Sequence, residues 1–292
     1  MTMTDLAVVV VAYHGAGDLD RCLEPVASSL DVVVVDNSSD PDVAAVARRH
    51  GCRYVDSGAN LGFAAGVNLG VSQLAPDVDV LLLNPDAVIS VDEVRALGAA
   101  LAADSSLAAV SPRLVDESGA EQRVEWPFPS PARMWREALG GTRFVDEPAD
   151  FVVGAVLLLR RTAWEDVGGF DERFFLYAEE VDWQRRAVQR GWSSGVAVEA
   201  VATHRGAGTS GDADQRDRLF YAASETYIRK WFGTAGWASY RLAAATGAMV
   251  RSAVGPARKR RLARARFAAY VAGPRRAAGL DRAGLDRDRT AA

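Results

Sequence analysis

The sequence predicts an α/β fold on a mainly parallel sheet, and two observations carry that expectation. Short valine-rich runs, LAVVVVAY (residues 6–13) and VVVVD (residues 32–36), are apolar on both faces, as buried parallel strands are. Stretches with apolar residues at helical spacing separate such runs, so strand and helix alternate in units of roughly 25 residues.

The elements follow in order. Residues 18–30 set Leu19, Cys22, Leu23, Val26 and Leu30 on one helical face. Residues 41–50 predict a helix opened by Pro41. A strand over 52–55, a helix over 62–74, a strand over 78–84 and a helix over 91–103 complete the regular half. After Ser111 the rhythm changes. WPFPSP (residues 126–131) is a loop, residues 151–159 are an apolar strand, and a short helix lies near Ala163. Residues 178–190 predict a helix stopped by Gly191, and residues 196–202 a strand. Beyond Asp212 strand signals end, and residues 216–232 form a helix with an aromatic face.

Composition narrows the classes. The 292 residues are 49% hydrophobic and 25% charged, which excludes disordered and collagen-like chains. The longest apolar run, FVVGAVLLL, is too short to span a membrane. The first residues lack the basic n-region of a secretory signal. Two cysteines, Cys22 and Cys52, make neither a disulfide framework nor a cysteine zinc site, which fits a reducing cytoplasm. The net charge of −4 hides an asymmetry: from Arg251 onward there are 12 basic and 3 acidic residues, so the body is strongly acidic and the tail basic. An acidic body speaks against a nucleic-acid binder.

Several motifs are missing. There is no GK[ST] or HExxH, and Asp20 stands where a dinucleotide fingerprint needs its third glycine. What remains is a set of polar residues at strand C-terminal ends, where open α/β sheets place ligands. The first strand ends in Tyr13-His14 and the second in Asp36-Asn37-Ser38-Ser39. That carboxylate and amide suit a nucleoside, or form an Asx turn capping the next helix. The fourth strand ends in Asn84-Pro85-Asp86, which suits a divalent cation on a diphosphate or a plain turn. Gly62, Gly66 and Gly70 lie four apart, a smooth helical ridge for close approach, flanked by Asn60 and Asn68. Glu179, Glu180 and Asp182 crowd a helix start among Phe174, Phe175, Tyr177, Trp183 and Trp192. Acids favour that helix end. An apolar wall beside a carboxylate also raises its pKa and suits a general base.

Taken together, VVVVAYHGAGDLDRCLEPV, VVVVDNSSD, NLGFAAGVNLG, LLLNPDAVI, GAVLLLRRTAWEDVGGFDERFFLYAEEVDWQRRAVQRGW and THRGAGTS resemble family 2 glycosyltransferases, most closely the rhamnosyltransferase-type branch. The resemblance runs from about Leu6 to Gly233. It implies a GT-A fold, Rossmann-like with a mainly parallel central sheet flanked by helices and a helical C-terminal extension. The implied catalytic domain is 1–210, with a donor half of about 1–115 and an acceptor half of about 116–210. A helical region, 211–250, and a basic tail, 251–292, partly helical or disordered, follow. The implied chemistry is inverting transfer from a nucleotide-sugar, dTDP-L-rhamnose favoured and UDP-sugars as the alternative, with Mg2+ or Mn2+ on the diphosphate. The implied acceptor is a glycan or polyprenyl-diphosphate-linked saccharide of the cell envelope.

By the same resemblance, Tyr13, Asp36 and Asn37 contact the nucleoside, and Asn60, Gly66 and Asn68 line its pocket. Asp86 ends the DxD-type metal motif, Asn84 replaces its first aspartate, and His204 completes the metal or diphosphate site. Glu180 falls at the catalytic base, with Glu179 and Asp182 as alternatives because the usual Glu-Asp pair is here Glu-Glu. The rival enzyme class, a nucleotidylyltransferase, is disfavoured because YHGAGDLD carries no basic residue before Arg21. The basic tail is expected to hold a cytoplasmic enzyme at the inner face of the plasma membrane.

Overall fold

The valine-rich runs become the neighbouring parallel strands β1 (Leu6–Ala12) and β2 (Asp31–Asp36). The computed structural model describes residues 6–140, 148–206, 213–254 and 256–280. The alternation continues through α1 (Ala16–Leu23), α2 (Pro41–Arg49), β3 (Arg53–Asp56), α3 (Phe63–Ser72) and β4 (Asp79–Leu83). Next come β5 (Ala87–Val88), α4 (Val91–Ala103), β6 (Leu107–Val115), β7 (Glu121–Gln122), β8 (Glu125–Trp126) and α5 (Pro131–Ala138). The second half holds β9 (Phe151–Val152), β10 (Val156–Leu159), α6 (Arg161–Val167), α7 (Glu179–Gln189) and β11 (Ser193–His204). The described chain closes with α8 (Ala213–Ala253), α9 (Ala257–Ala272) and α10 (Pro274–Ala277).

The sheet runs in the order β3-β2-β1-β4-β10-β6-β11-β5, with β7 beside β6. β10 is antiparallel to both β4 and β6. Consequently β1, β2, β3, β4, β6 and β11 all direct their C-terminal ends to one edge. Alternate residues of β1 enter different cores, as a strand's two-residue period requires. Leu6, Val8, Val10 and Ala12 pack with α1, α2 and α4. Ala7, Val9 and Val11 pack with α3, α6 and α7. A third cluster, built on Phe174, Tyr227, Trp237, Tyr240 and Tyr270, joins α5 and α7 to α8 and α9.

Three departures from expectation have local causes. The first helix stops at Leu23 because Pro25 lacks an amide and clashes with the preceding turn, although Val26 and Leu30 still bury their side chains. The apolar run 151–159 divides at Gly154: β9 pairs with β8, whereas β10 enters the main sheet. Strand β6 escaped notice because it contains Pro112. That residue sits where the register with β11 slips between Ala197 and Val201, so its missing amide is tolerated.

Gly66 and Gly70 have a packing role. A methyl at Gly70 would lie 2.5 Å from Val9 Cγ1, and one at Gly66 would lie 2.7 Å from Val11 Cγ1. The helix therefore rests directly on the sheet.

The basic region is folded as far as it is described. Tyr270 and Ala263 of α9 face inward. Arg266, which stands in sequence among the apolar residues Leu262, Phe267, Tyr270 and Val271, also turns inward and donates to Glu137 Oε1 at 3.2 Å. Leu262, Phe267 and Val271 face out beside exposed Arg258, Lys259, Arg261 and Arg264. Residues 207–210 of the THRGAGTS segment and 281–292 of the tail lie outside the described residues. Among the described residues no helix is long and apolar enough to cross a membrane.

Candidate active site at the C-terminal edge of the sheet

Because the parallel strands end together, residues distant in sequence meet at one edge. The end of β2 is organised by Asp36. It is fully buried, and its Oδ1 accepts from the Ser38 amide and hydroxyl at 2.8 and 2.5 Å. Its Oδ2 accepts from the Asp40 amide and the Tyr54 hydroxyl at 2.8 and 2.9 Å. Asp36 therefore folds the loop, as the Asx-turn alternative has it. Asn37 is the neighbour with spare capacity. Its Nδ2 donates to the Gly62 carbonyl at 2.9 Å, while its buried Oδ1 has no partner. Tyr13 stands exposed on the same edge, with its ring 4.7 Å from that of His14.

Asn60 accepts from the Gly62 amide at 3.1 Å and shapes the entry to α3. Gly62 sits at φ +82°, and a Cβ there would lie 2.4 Å from the Phe175 carbonyl oxygen, so only glycine fits. Asn68 does not reach this edge as a free donor. It brackets Phe170, accepting from its amide and donating to its carbonyl, each at 2.9 Å.

Beyond β4, the Asn84 amide donates to the Ala155 carbonyl at 2.9 Å. Asp86 precedes β5, whose Ala87 pairs with His204 at the end of β11. This register sets His204 Nε2 3.5 Å from Asp86 Oδ1, with only 17% and 9% of the two side chains exposed. Gln122 of β7, unseen in the sequence, closes the group: its Nε2 donates to the His204 carbonyl at 2.7 Å, and its Oε1 faces His204 Nδ1 at 3.1 Å. Two cis ligands of an octahedral cation lie about 3 Å apart, so Asp86 and His204 are close to a chelating separation. No group of three or more His, Cys, Asp or Glu assembles among the described residues. A cation held here would draw its other ligands from a diphosphate and water.

The acidic helix start reaches the same edge through Gly154. A Cβ on Gly154 would lie 3.1 Å from Glu180 Cγ, and Gly154 adjoins the Ala155 that holds Asn84. Tyr177 and Ala178 both adopt left-handed backbone, φ 71° and 66°, at about 1–3 kcal/mol each. Burial pushes the Tyr177 phenol up; the Arg216 charge pulls it down, while those of Glu179 and Asp86 push it further up.

The three acids then separate by environment. Glu179 is 4% exposed, and burial beside Glu180 holds its carboxyl well above the usual range. Glu180 is also raised by burial, while the amides of Glu180, Val181 and Gly154 pull the other way. Each keeps one buried oxygen without a partner. Glu180 is the more open of the two. Asp182 is fully committed: its carboxylate accepts from Lys230 Nζ at 2.6 Å, Trp231 Nε1 at 3.0 Å and Arg186 Nε at 3.0 Å. It points away from the edge, towards α8. Nothing in the sequence pairs Lys230 with Asp182, 48 residues away.

Comparison with known proteins places this geometry in context. The model of glycosyl transferase family 2 matches residues 7–168. An N-acetylglucosaminyl-diphospho-decaprenol L-rhamnosyltransferase of Mycobacterium tuberculosis is 31% identical over 301 residues, covering 89% of this chain and 98% of the relative. A low-salt glycan biosynthesis hexosyltransferase of Haloferax volcanii is 27% identical, covering 69% and 67%. Among solved structures, glucosyl-3-phosphoglycerate synthase of Mycobacterium tuberculosis, in complex with Mn2+, UDP-glucose and phosphoglyceric acid, superposes with a TM-score of 0.55. It is 15% identical and covers 78% of this chain and 79% of that one, a likeness of fold alone.

If Asp182 is a structural hub and Glu180 is not, Asp182→Ala costs about 3 kcal/mol of unfolding free energy, the low end for a broken buried pair because Lys230 keeps Asp171. Glu180→Gln leaves the urea midpoint unchanged or raises it. Urea unfolding of the two variants beside the parent checks both.

Proposed function

Since the chain belongs to glycosyl transferase family 2, we propose that it transfers an L-rhamnosyl group, with inversion, from dTDP-L-rhamnose to a hydroxyl of a lipid-diphosphate-linked saccharide. The observation that carries the chemistry is Glu180, a desolvated carboxylate with an unpartnered oxygen on the sheet edge that also bears Asp86 and His204. The identity with the mycobacterial rhamnosyltransferase, along nearly its whole length, supports the choice of sugar and acceptor class.

Glu180 takes the proton of the acceptor hydroxyl as that oxygen bonds to the anomeric carbon. The bond from that carbon to the donor phosphate breaks, and the nucleoside diphosphate leaves with the electron pair. One displacement with one base inverts the centre. Burial of Glu180 keeps its basicity high enough to accept the proton near neutrality. Asp86 and His204 would hold Mg2+ or Mn2+, which when bound neutralises charge on the departing diphosphate. The imidazole favours Mn2+ of the two. Tyr13 flanks the nucleoside and the Asn37 Oδ1 accepts from it, with Asn60 and Gly62 shaping the entry to α3, Gly66 letting that helix rest against β1, and Asn84 forming the wall towards the diphosphate. The donor half is about 1–115 and the acceptor half about 116–210, followed by a C-terminal region that contains α8 and the basic segment beyond.

The outer face of α9 supports contact with an anionic membrane, where such an acceptor resides. Residues 251–280 contain no acidic side chain, and exposed Leu262, Phe267 and Val271 alternate there with four exposed cations. Each cation near an anionic surface contributes about 1 kcal/mol.

Glu180→Gln lowers kcat by at least about 100-fold with donor affinity unchanged. In the parent enzyme kcat falls as pH drops through the raised Glu180 pKa, because only the ionised base accepts a proton; the acid limb therefore lies above the ordinary glutamate range. Steady-state rates against pH, with donor titrations, read both. Replacing Arg258, Lys259, Arg261 and Arg264 by glutamine abolishes flotation with anionic vesicles, which the parent shows at low salt and loses at high salt. Equal flotation of both proteins contradicts the membrane contact.

A further inference from the structure

Gln122 has no catalytic atom in reach of the acids, yet its amide is tied at both ends to His204. The orientation of that amide is fixed by chemistry. The group 2.7 Å from the His204 carbonyl oxygen must donate, so it is the NH2, and the atom facing His204 Nδ1 at 3.1 Å is the carbonyl oxygen. An oxygen acceptor there requires a hydrogen on Nδ1. In a neutral ring the lone pair then lies on Nε2, the nitrogen 3.5 Å from Asp86 Oδ1. Two electron-pair donors face each other, an arrangement that a cation satisfies.

The other tautomer would behave differently. With the hydrogen on Nε2, which a free imidazole prefers, the ring could donate to Asp86, and Nε2 would have no lone pair to offer a cation. The partner of the remote nitrogen decides which state holds. The scaffold is rigid enough to impose the choice. Gln122 pairs with Leu114 on β6, and the next β6 residue, Val115, pairs with Thr203, one residue before His204. One strand therefore carries both partners in register.

We propose that Gln122 is a positioning residue that holds His204 in the Nδ1–H tautomer, keeping Nε2 as an electron-pair donor aimed beside Asp86 for a divalent cation. The inference rests on the reading of Asp86 and His204 as a cation site, but its first consequence needs no metal. Only three histidines occur in the chain, His14, His50 and His204, so their ring nitrogens can be separated by nitrogen NMR on the full-length metal-free protein.

The parent is expected to show the neutral His204 ring as Nδ1–H. Gln122→Glu, which keeps an acceptor for that hydrogen, retains the tautomer. Gln122→Met, which keeps length and loses the acceptor, shifts the ring to Nε2–H and weakens Mn2+ binding in the presence of dTDP by about 10–100-fold. An Nε2–H ring in the parent overturns the proposal. So does a Gln122→Met protein that changes tautomer while binding Mn2+ within a factor of three of the parent. Should Gln122→Met fail to fold, the parent and Gln122→Glu spectra still decide the tautomer. A parent that shows the Nδ1–H ring but ignores Mn2+ overturns the cation reading, and with it the purpose assigned to Gln122.

Discussion

The buried carboxylate of Asp182 is the contact on which the candidate active site depends. Helix α7 begins with two desolvated glutamates that repel one another, preceded by two residues in left-handed backbone. The opposing force comes from Asp182 in the same turn, which engages Lys230, Trp231 and Arg186 with no exposure to solvent. Arg185 adds a second tie, with its guanidinium 4.4 Å from the Trp231 ring centroid and 4.9 Å from that of Phe232, and a bond of 2.9 Å to the Tyr227 hydroxyl. The C-terminal helix α8 is therefore the clamp that lets an unfavourable carboxylate pair persist at the sheet edge.

The same division of labour recurs across the site. Asp36 and Asn68 spend their bonding capacity on neighbouring backbone and side chains, and by doing so leave Asn37 and the loop before α7 in fixed places. Residues with unspent capacity, the Asn37 Oδ1 and the two glutamate oxygens, are the ones left for a ligand. Burying an unpaired oxygen costs about 1–3 kcal/mol, so each is retained against a penalty that a bound substrate would relieve.

The fold was legible because valine runs and helical spacing are local signals, and the strand-end placement of Tyr13, Asp36, Asn84 and Asp86 follows from a parallel sheet. The acids at 179–182 were visible as a cluster, but not which of them faces the edge; that depends on Lys230 and Trp231, whose approach is a tertiary event. Gln122 lay beyond reach for a similar reason: a two-residue strand has no periodicity, and its meaning comes from His204, 82 residues on. Arg266 is the reverse case. Its charge stands in sequence among apolar residues, and Glu137 gives it an inward partner.

The central claim is that the sheet edge at Asp86 and His204 holds a cation together with a nucleoside diphosphate. Calorimetric titration of dTDP into the full-length protein, with and without Mn2+, in the parent and in Asp86→Asn, tests it most directly. Mn2+ is expected to tighten dTDP binding at least about tenfold in the parent, and the gain to disappear in Asp86→Asn while the unfolding midpoint stays put. Binding indifferent to Mn2+, or a gain that survives the substitution, would contradict it.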